Sequence, residues 1–248
     1  MRVLTLLSHD DTWWCNAALE VPHALPFATM TVMRSQARWS ESQNMESQQS
    51  SVEAFDLLCL ALGLVMNWAT LSPKVTVLSR IKCKISFRCG HKRSLGSSAI
   101  NPICPGSRLC VRTCRCAGQK SVLECITTLH VQYSDHCQDD PPECAFLRGY
   151  TAILLGLLMK DDSSNQTIVI STLPGTSPSG RITSLITHCR AFLDLYNDTL
   201  ALPSPDSPRA TPEEVIHEAS GRQRATWDKK GEQTARSVIA SLEILCDT

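Results

Sequence analysis

Two stretches, "CLALGLVMN" at 59–67 and "AILLGLLMK" at 152–160, set the reading of this chain. They agree at Leu62/Leu155, Gly63/Gly156, Leu64/Leu157 and Met66/Met159, and the remaining apolar positions are conservative. Apolar residues fill most of the circumference in both, β-branched residues are few, and Pro73 stops the first. That composition and length describe a fully buried helix. A mid-helix glycine costs about 1 kcal/mol relative to alanine, so it persists where another helix approaches closely. Two helices with one glycine register point to repeated units stacked so that each buries the face its neighbour exposes.

Working outward, residues 1–39 read as short helices forming a partial N-terminal repeat. Asp11 or Thr12 caps "TWWCNAALE", and Pro22 and Pro26 interrupt the chain after it. Residues 40–51, "SESQNMESQQSS", lack apolar periodicity and read as a polar linker. Helical repeats then occupy 52–200. Within them, "SVLECITTLHVQY" has helical spacing, and "TIVISTL" is a short helix with strand as the local alternative. "RITSLITHCRAFLDLY" places Ile182, Leu185, Ile186, Cys189, Phe192, Leu193 and Tyr196 on one face. Residues 201–233 are rich in proline, serine and charge and read as a disordered loop. A closing helix covers 234–248, with Val238, Ile239, Leu242 and Leu245 as its apolar stripe.

The formal net charge of zero conceals an asymmetry. Residues 80–120 carry Arg80, Lys82, Lys84, Arg88, Lys92, Arg93, Arg108, Arg112, Arg115 and Lys120 and no acidic residue. The same insertion holds Cys83, Cys89, Cys104, Cys110, Cys114 and Cys116. The chain has 13 cysteines, an odd number, and no signal-peptide apolar core develops after Arg2. Both features suggest a reducing compartment, where clustered thiols bind metal or stay free. Cys104, Cys110, Cys114 and Cys116 are candidate ligands for one structural zinc, with Cys83, Cys89 and His91 as further donors. Their spacing is not the paired C-x2-C arrangement, so a loop of unpaired thiols is the competing reading. Cys59, Cys125 and Cys189 fall on helices and read as small core residues.

The basic 80–120 segment could contact DNA phosphates or an acidic protein partner. The longest apolar runs fall short of the ~20 residues that span a bilayer, so no membrane segment is expected. No G-x-S-x-G, G-x-x-x-x-G-K or H-E-x-x-H motif occurs, and the histidines are scattered. No catalytic residue and no small-molecule substrate is assigned.

"LCLALGLVMNWA" at 58–69, "FLRGYTAILLGLLMKDDSSNQTIVISTLPG" at 146–175, "LITHCRAFLDLY" at 185–196 and "SVIASLEIL" at 237–245 together resemble the C-terminal domain of the wings apart-like family. The likeness includes Asn165 in the polar break and the Leu173-Pro174-Gly175 turn. The opening "MRVLTLLSHDD" is similar to the start of an earlier repeat in fungal members. The chain departs from the family at Trp68-Ala69-Thr70, where members commonly carry an acidic residue. The resemblance implies an all-α stack of HEAT or armadillo-like repeats. It also implies a non-enzymatic, nuclear, chromatin-associated regulator of sister-chromatid cohesion that binds cohesin subunits and their regulators and promotes cohesin release. Two alternatives stand beside it: a zinc-dependent nucleic-acid-binding protein centred on residues 83–116, and a generic helical scaffold.

Overall fold

The computed structural model describes residues 4–5, 8–9, 11–43, 48–83, 120–134, 141–201 and 215–247. Nine helices lie among them, and the described chain is overwhelmingly helical. Two compact units divide it, Met1–Ile126 and Thr127–Thr248.

In the first unit, α1 (Thr12–Glu20) begins where Asp11 Oδ1 accepts from the backbone N–H groups of Trp13 and Trp14. This occupies two of the donors that every helix start leaves open. Helix α2 (Ala24–Gln43) takes Pro26 into its first turn, where its missing N–H costs nothing. Helix α3 (Gln48–Leu71) packs along α2, with Trp39 and Phe55 ring centroids 5.1 Å apart. The expected linker 40–51 is therefore helix at both ends, and only 44–47 lie outside the described residues. Serine, glutamine and glutamate there tolerate helix once α2 and α3 bury their apolar stripes against each other.

The first unit corrects a second expectation. Helix α3 buries Ala54, Leu58, Ala61, Leu62, Leu64, Val65 and Trp68, a stripe at helical spacing, while Cys59, Leu60, Gly63 and Met66 stay half-buried. It is amphipathic in its packing although not in its composition, because α2 takes most of that packing. Asn67 ties the opening segment to it, donating from Nδ2 to Thr5 O at 3.1 Å and Ser8 Oγ at 3.0 Å. Thr5 Oγ1 in turn donates to Leu60 O at 3.1 Å.

After the short α4 (Lys74–Leu78), strands β1 (Lys82–Cys83) and β2 (Lys120–Ser121) pair antiparallel, Lys82 with Ser121 and Cys83 with Lys120. The basic insertion thus leaves and returns at one place. Ser121 then caps α5 (Val122–Ser134) reciprocally. Its Oγ accepts from Glu124 N at 3.1 Å, and its N–H donates to Glu124 Oε2 at 2.6 Å, a capping box.

The second unit is built on α6 (Pro142–Met159), surrounded by α7 (Ser163–Thr172), α8 (Pro178–Ala201) and α9 (Val215–Cys246). From Thr151 to Met159 only Leu157 is less than buried. A Cβ at Gly156 would overlap Val238 Cγ1 of α9, and one at Gly149 would overlap Phe192 Cβ of α8. These glycines let two helices approach α6 closely.

The α6–α7 corner explains the polar break. Asp161 takes a left-handed φ of 57°, and Asp162 Oδ1 caps α7 at Asn165 N. Buried Asn165 donates to Leu158 O at 2.6 Å and Gln166 to Met159 O at 3.0 Å. Both bonds satisfy carbonyls that the end of α6 leaves open. "TIVISTL" is helical here, as the reading over strand expected.

Of the expected loop 201–233, residues 215–233 lie in α9 and 202–214 lie outside the described residues, so the closing helix begins before 234. Its charged and polar first half can be helical because lysine, arginine, glutamate, glutamine and alanine are good helix formers. Two helices, Gln49–Leu71 and Pro142–Met159, are long and apolar enough to cross a bilayer, where the apolar runs alone predicted none. Within the protein 61% of the second stretch is buried, as in a core helix, against 39% of the first.

Candidate functional site

Helices α5, α6 and α8 bring one polar side chain each to a common point in the second unit. His130 on α5 is 1% exposed. Its Nδ1 lies 3.0 Å from Thr151 Oγ1 on α6, and its Nε2 lies 3.4 Å from His188 Nδ1 on α8. Thr151 Oγ1 also donates to the backbone, at 2.6 Å to Leu147 O and 3.1 Å to Arg148 O.

That geometry orders the protons. The threonine hydroxyl gives its hydrogen to the helix backbone, so it accepts from His130 Nδ1–H. His130 Nε2 is then the acceptor for His188 Nδ1–H, which leaves the His188 Nε2 lone pair uncommitted. Both rings are held neutral. Burial first, then His188, and last the Arg148 guanidinium bring His130 down to about 3, against the hydrogen bond its ring donates to the Arg148 backbone carbonyl. Burial first and the Arg148 guanidinium second bring half-buried His188 down to about 4. Two imidazoles with such low basicity serve as neutral hydrogen-bonding groups near pH 7.

Beside this relay, α6 and α8 display four aromatic rings. Phe146 and Tyr150 stack with centroids 5.4 Å apart, and Phe192 lies 5.7 Å from Phe146 and 5.9 Å from Tyr150. Tyr196 continues the row at 6.3 Å from Phe192. Each pair on one helix is four residues apart, hence on one face. All four rings are half-buried, and exposed Leu195 adjoins them in α8. The first unit has its own exposed apolar side chains at Trp13, Trp14, Val21 and Phe27.

The predicted zinc ligands Cys104, Cys110, Cys114 and Cys116 lie outside the described residues, as do Cys89 and His91. Among the described residues no three His, Cys, Asp or Glu side chains gather as metal ligands. Of the three cysteines expected in the core, Cys125 and Cys189 are buried, and Cys59 is half-buried. Burial pushes the Cys189 thiol up to about 12, and burial with Asp56 does the same for Cys59. Both are inert thiols rather than thiolates.

Along the sequence the histidines are scattered, but in the fold two of them meet. His130 and His188 come together across 58 residues, and neither has a local signal beyond its place on a helix. The aromatic row is different, since the i, i+4 pairs Phe146/Tyr150 and Phe192/Tyr196 are visible in the sequence, although not their meeting.

No protein-family model, curated protein or solved structure matches this chain.

Proposed function

We propose that this chain is a non-enzymatic helical interaction module of HEAT-like repeats that binds cohesin subunits and promotes release of cohesin from chromatin in the nucleus. The reading rests on the resemblance to the wings apart-like C-terminal domain. One structural observation carries its mechanism. The half-exposed aromatic row falls inside two of the stretches that carry the resemblance, "FLRGYTAILLG" and "LITHCRAFLDLY". Aromatic side chains combine large buried area with low ordering cost and concentrate at interface centres. Release by such a module is a shift in the populations of cohesin ring conformers by differential binding, with no bond made or broken in this chain.

Immobilised full-length protein should retain purified cohesin subunits. The double variant Tyr150→Ala/Tyr196→Ala should weaken retention at least tenfold while circular dichroism stays helical. Absence of binding by well-folded wild-type protein refutes the reading.

A second reading is favoured by the β1–β2 stem, which holds both ends of the basic, cysteine-rich segment together. In it, Cys104, Cys110, Cys114 and Cys116 bind one zinc ion, and residues 83–116 engage nucleic acid phosphates. Purified protein should then contain about one zinc per chain, lost in Cys110→Ser/Cys114→Ser, and its DNA affinity should fall steeply with salt. Metal-free, salt-insensitive protein removes this reading.

A further inference from the structure

The relay of His130, His188 and Thr151 is the point at which three helices of the second unit are joined by side-chain hydrogen bonds. The contacts at either end favour one proton order. The Thr151 hydroxyl is committed to the backbone of its own helix, so His130 must donate through Nδ1. His188 then donates to His130 Nε2. A first added proton has one place that leaves the relay intact, His188 Nε2. A second has none, because a proton on His130 Nε2 faces the His188 Nδ1–H that already points there.

The surroundings oppose both steps. On α6 the charged group acting on the two rings is Arg148, of the same sign as an imidazolium. On α8 the next residue, Cys189, is a buried neutral thiol, and the cationic neighbour Arg190 is engaged by Glu243 of α9 at 2.6 Å. On α5, Glu124 is bonded to the Ser121 backbone at the start of the helix. No carboxylate is among the groups that shift either ring.

We propose that this relay is an acid-released latch that fastens helix α8 to α5 and α6, so that acidification frees α8 and the two aromatic rings it carries. The direction comes from proton linkage. In the closed latch both rings bind a proton more weakly than a free histidine, so opening takes up protons. The latch is unaffected above about pH 6.5, the ordinary histidine value, and opens progressively below it. Each histidine that titrates on opening shifts the equilibrium by up to about tenfold per pH unit. Phe192 lies four residues after His188 on α8, so the row of four rings is split when α8 leaves. That effect on partner binding rests on the proposed aromatic interface; the latch itself does not.

The test is hydrogen exchange on the full chain at pH 7.5 and 5.5, with protection factors corrected for the intrinsic rate. Protection over Ile182–Leu193 of α8 should fall about tenfold or more and stay below that of Ile153–Leu158 of α6 at both pH values, because α8 opens without global unfolding. Equal protection of the two helices at pH 5.5 would mean that α8 opens only with the whole fold and overturns the latch. The variant His130→Gln/His188→Gln should lose the pH dependence of α8, and its persistence also overturns the proposal. Should that variant not fold, the ring resonances of wild-type His130 and His188 decide. Both must remain those of neutral imidazole to below pH 5 in the folded protein, and a midpoint near 6.5 for either refutes it. Because no partner is present, failure here leaves the cohesin reading untouched.

Discussion

Helices α3 and α6 share the Leu-Gly-Leu-x-Met register, yet they are packed differently. In α6 the register residues Leu155, Gly156, Leu158 and Met159 are buried, and Leu157 is half-buried. In α3, Leu62, Leu64 and Val65 are buried, whereas Gly63 and Met66 are half-buried. The glycine in α6 is where α9 closes in through Val238. In α3 the buried arc passes beside Gly63, toward α2. Closely matched local sequence therefore serves a helix buried almost throughout in one unit and a helix buried along a stripe in the other. What distinguishes them is how the packing is shared, mostly with α2 for α3 but among α7, α8 and α9 for α6, which is a property of the tertiary fold rather than of the nine residues.

The largest break in that comparison should come from truncating the core. Leu155→Ala removes a fully buried side chain and should cost about 2–5 kcal/mol in chemical denaturation. Leu60→Ala, at a half-buried position of α3, should cost no more than about half as much, since less area leaves water. Equal losses would mean that α3 is as enclosed as α6.

Gly156→Ala should come next. Its new Cβ meets Val238 Cγ1, and forcing a methyl into a packed core costs about 1–3 kcal/mol. Val238→Ala should relieve part of that cost, which a double-mutant cycle reads as coupling.

Acid sharpens the contrast through the second unit. His130, held neutral at a value of about 3, leaves stability unchanged above about pH 6.5. Below that pH it weakens the fold by about 1.4 kcal/mol per unit, because the unfolded chain takes up the proton and the folded chain does not. His188 acts in the same direction with a smaller effect, since solvent screens its more exposed ring. Denaturation midpoints at pH 7.5, 6.5 and 5.5 should be level across the first interval and fall across the second. His130→Gln should flatten the fall.

Helical class, the choice of helix over strand at "TIVISTL" and the cap at Asp11 are legible in the sequence because they depend on neighbours within four residues. The ends of the linker and the second half of the expected loop depart from that reading for the same reason. Polar stretches such as 40–43 and 215–233 have no apolar period, yet they are helical where the helix they extend is already anchored by packing. The site is the least legible part. His130 and His188 become partners only when α5 and α8 cross, and the joining of the two aromatic pairs depends on Gly149 admitting Phe192. Nothing in the sequence singles out Gly149, because no matching glycine marks it in the other stretch.

The smallest effect decides most directly whether the matched helices are equivalent. Thermal unfolding of Gly63→Ala and Gly156→Ala should shift in opposite directions. Gly63→Ala should stabilise by up to about 1 kcal/mol, since alanine favours helix at a half-buried site. Gly156→Ala should destabilise despite the same propensity gain. Destabilisation of both would mean that α3 is closely approached at its glycine as α6 is, and would contradict the distinction between half-buried Gly63 and buried Gly156.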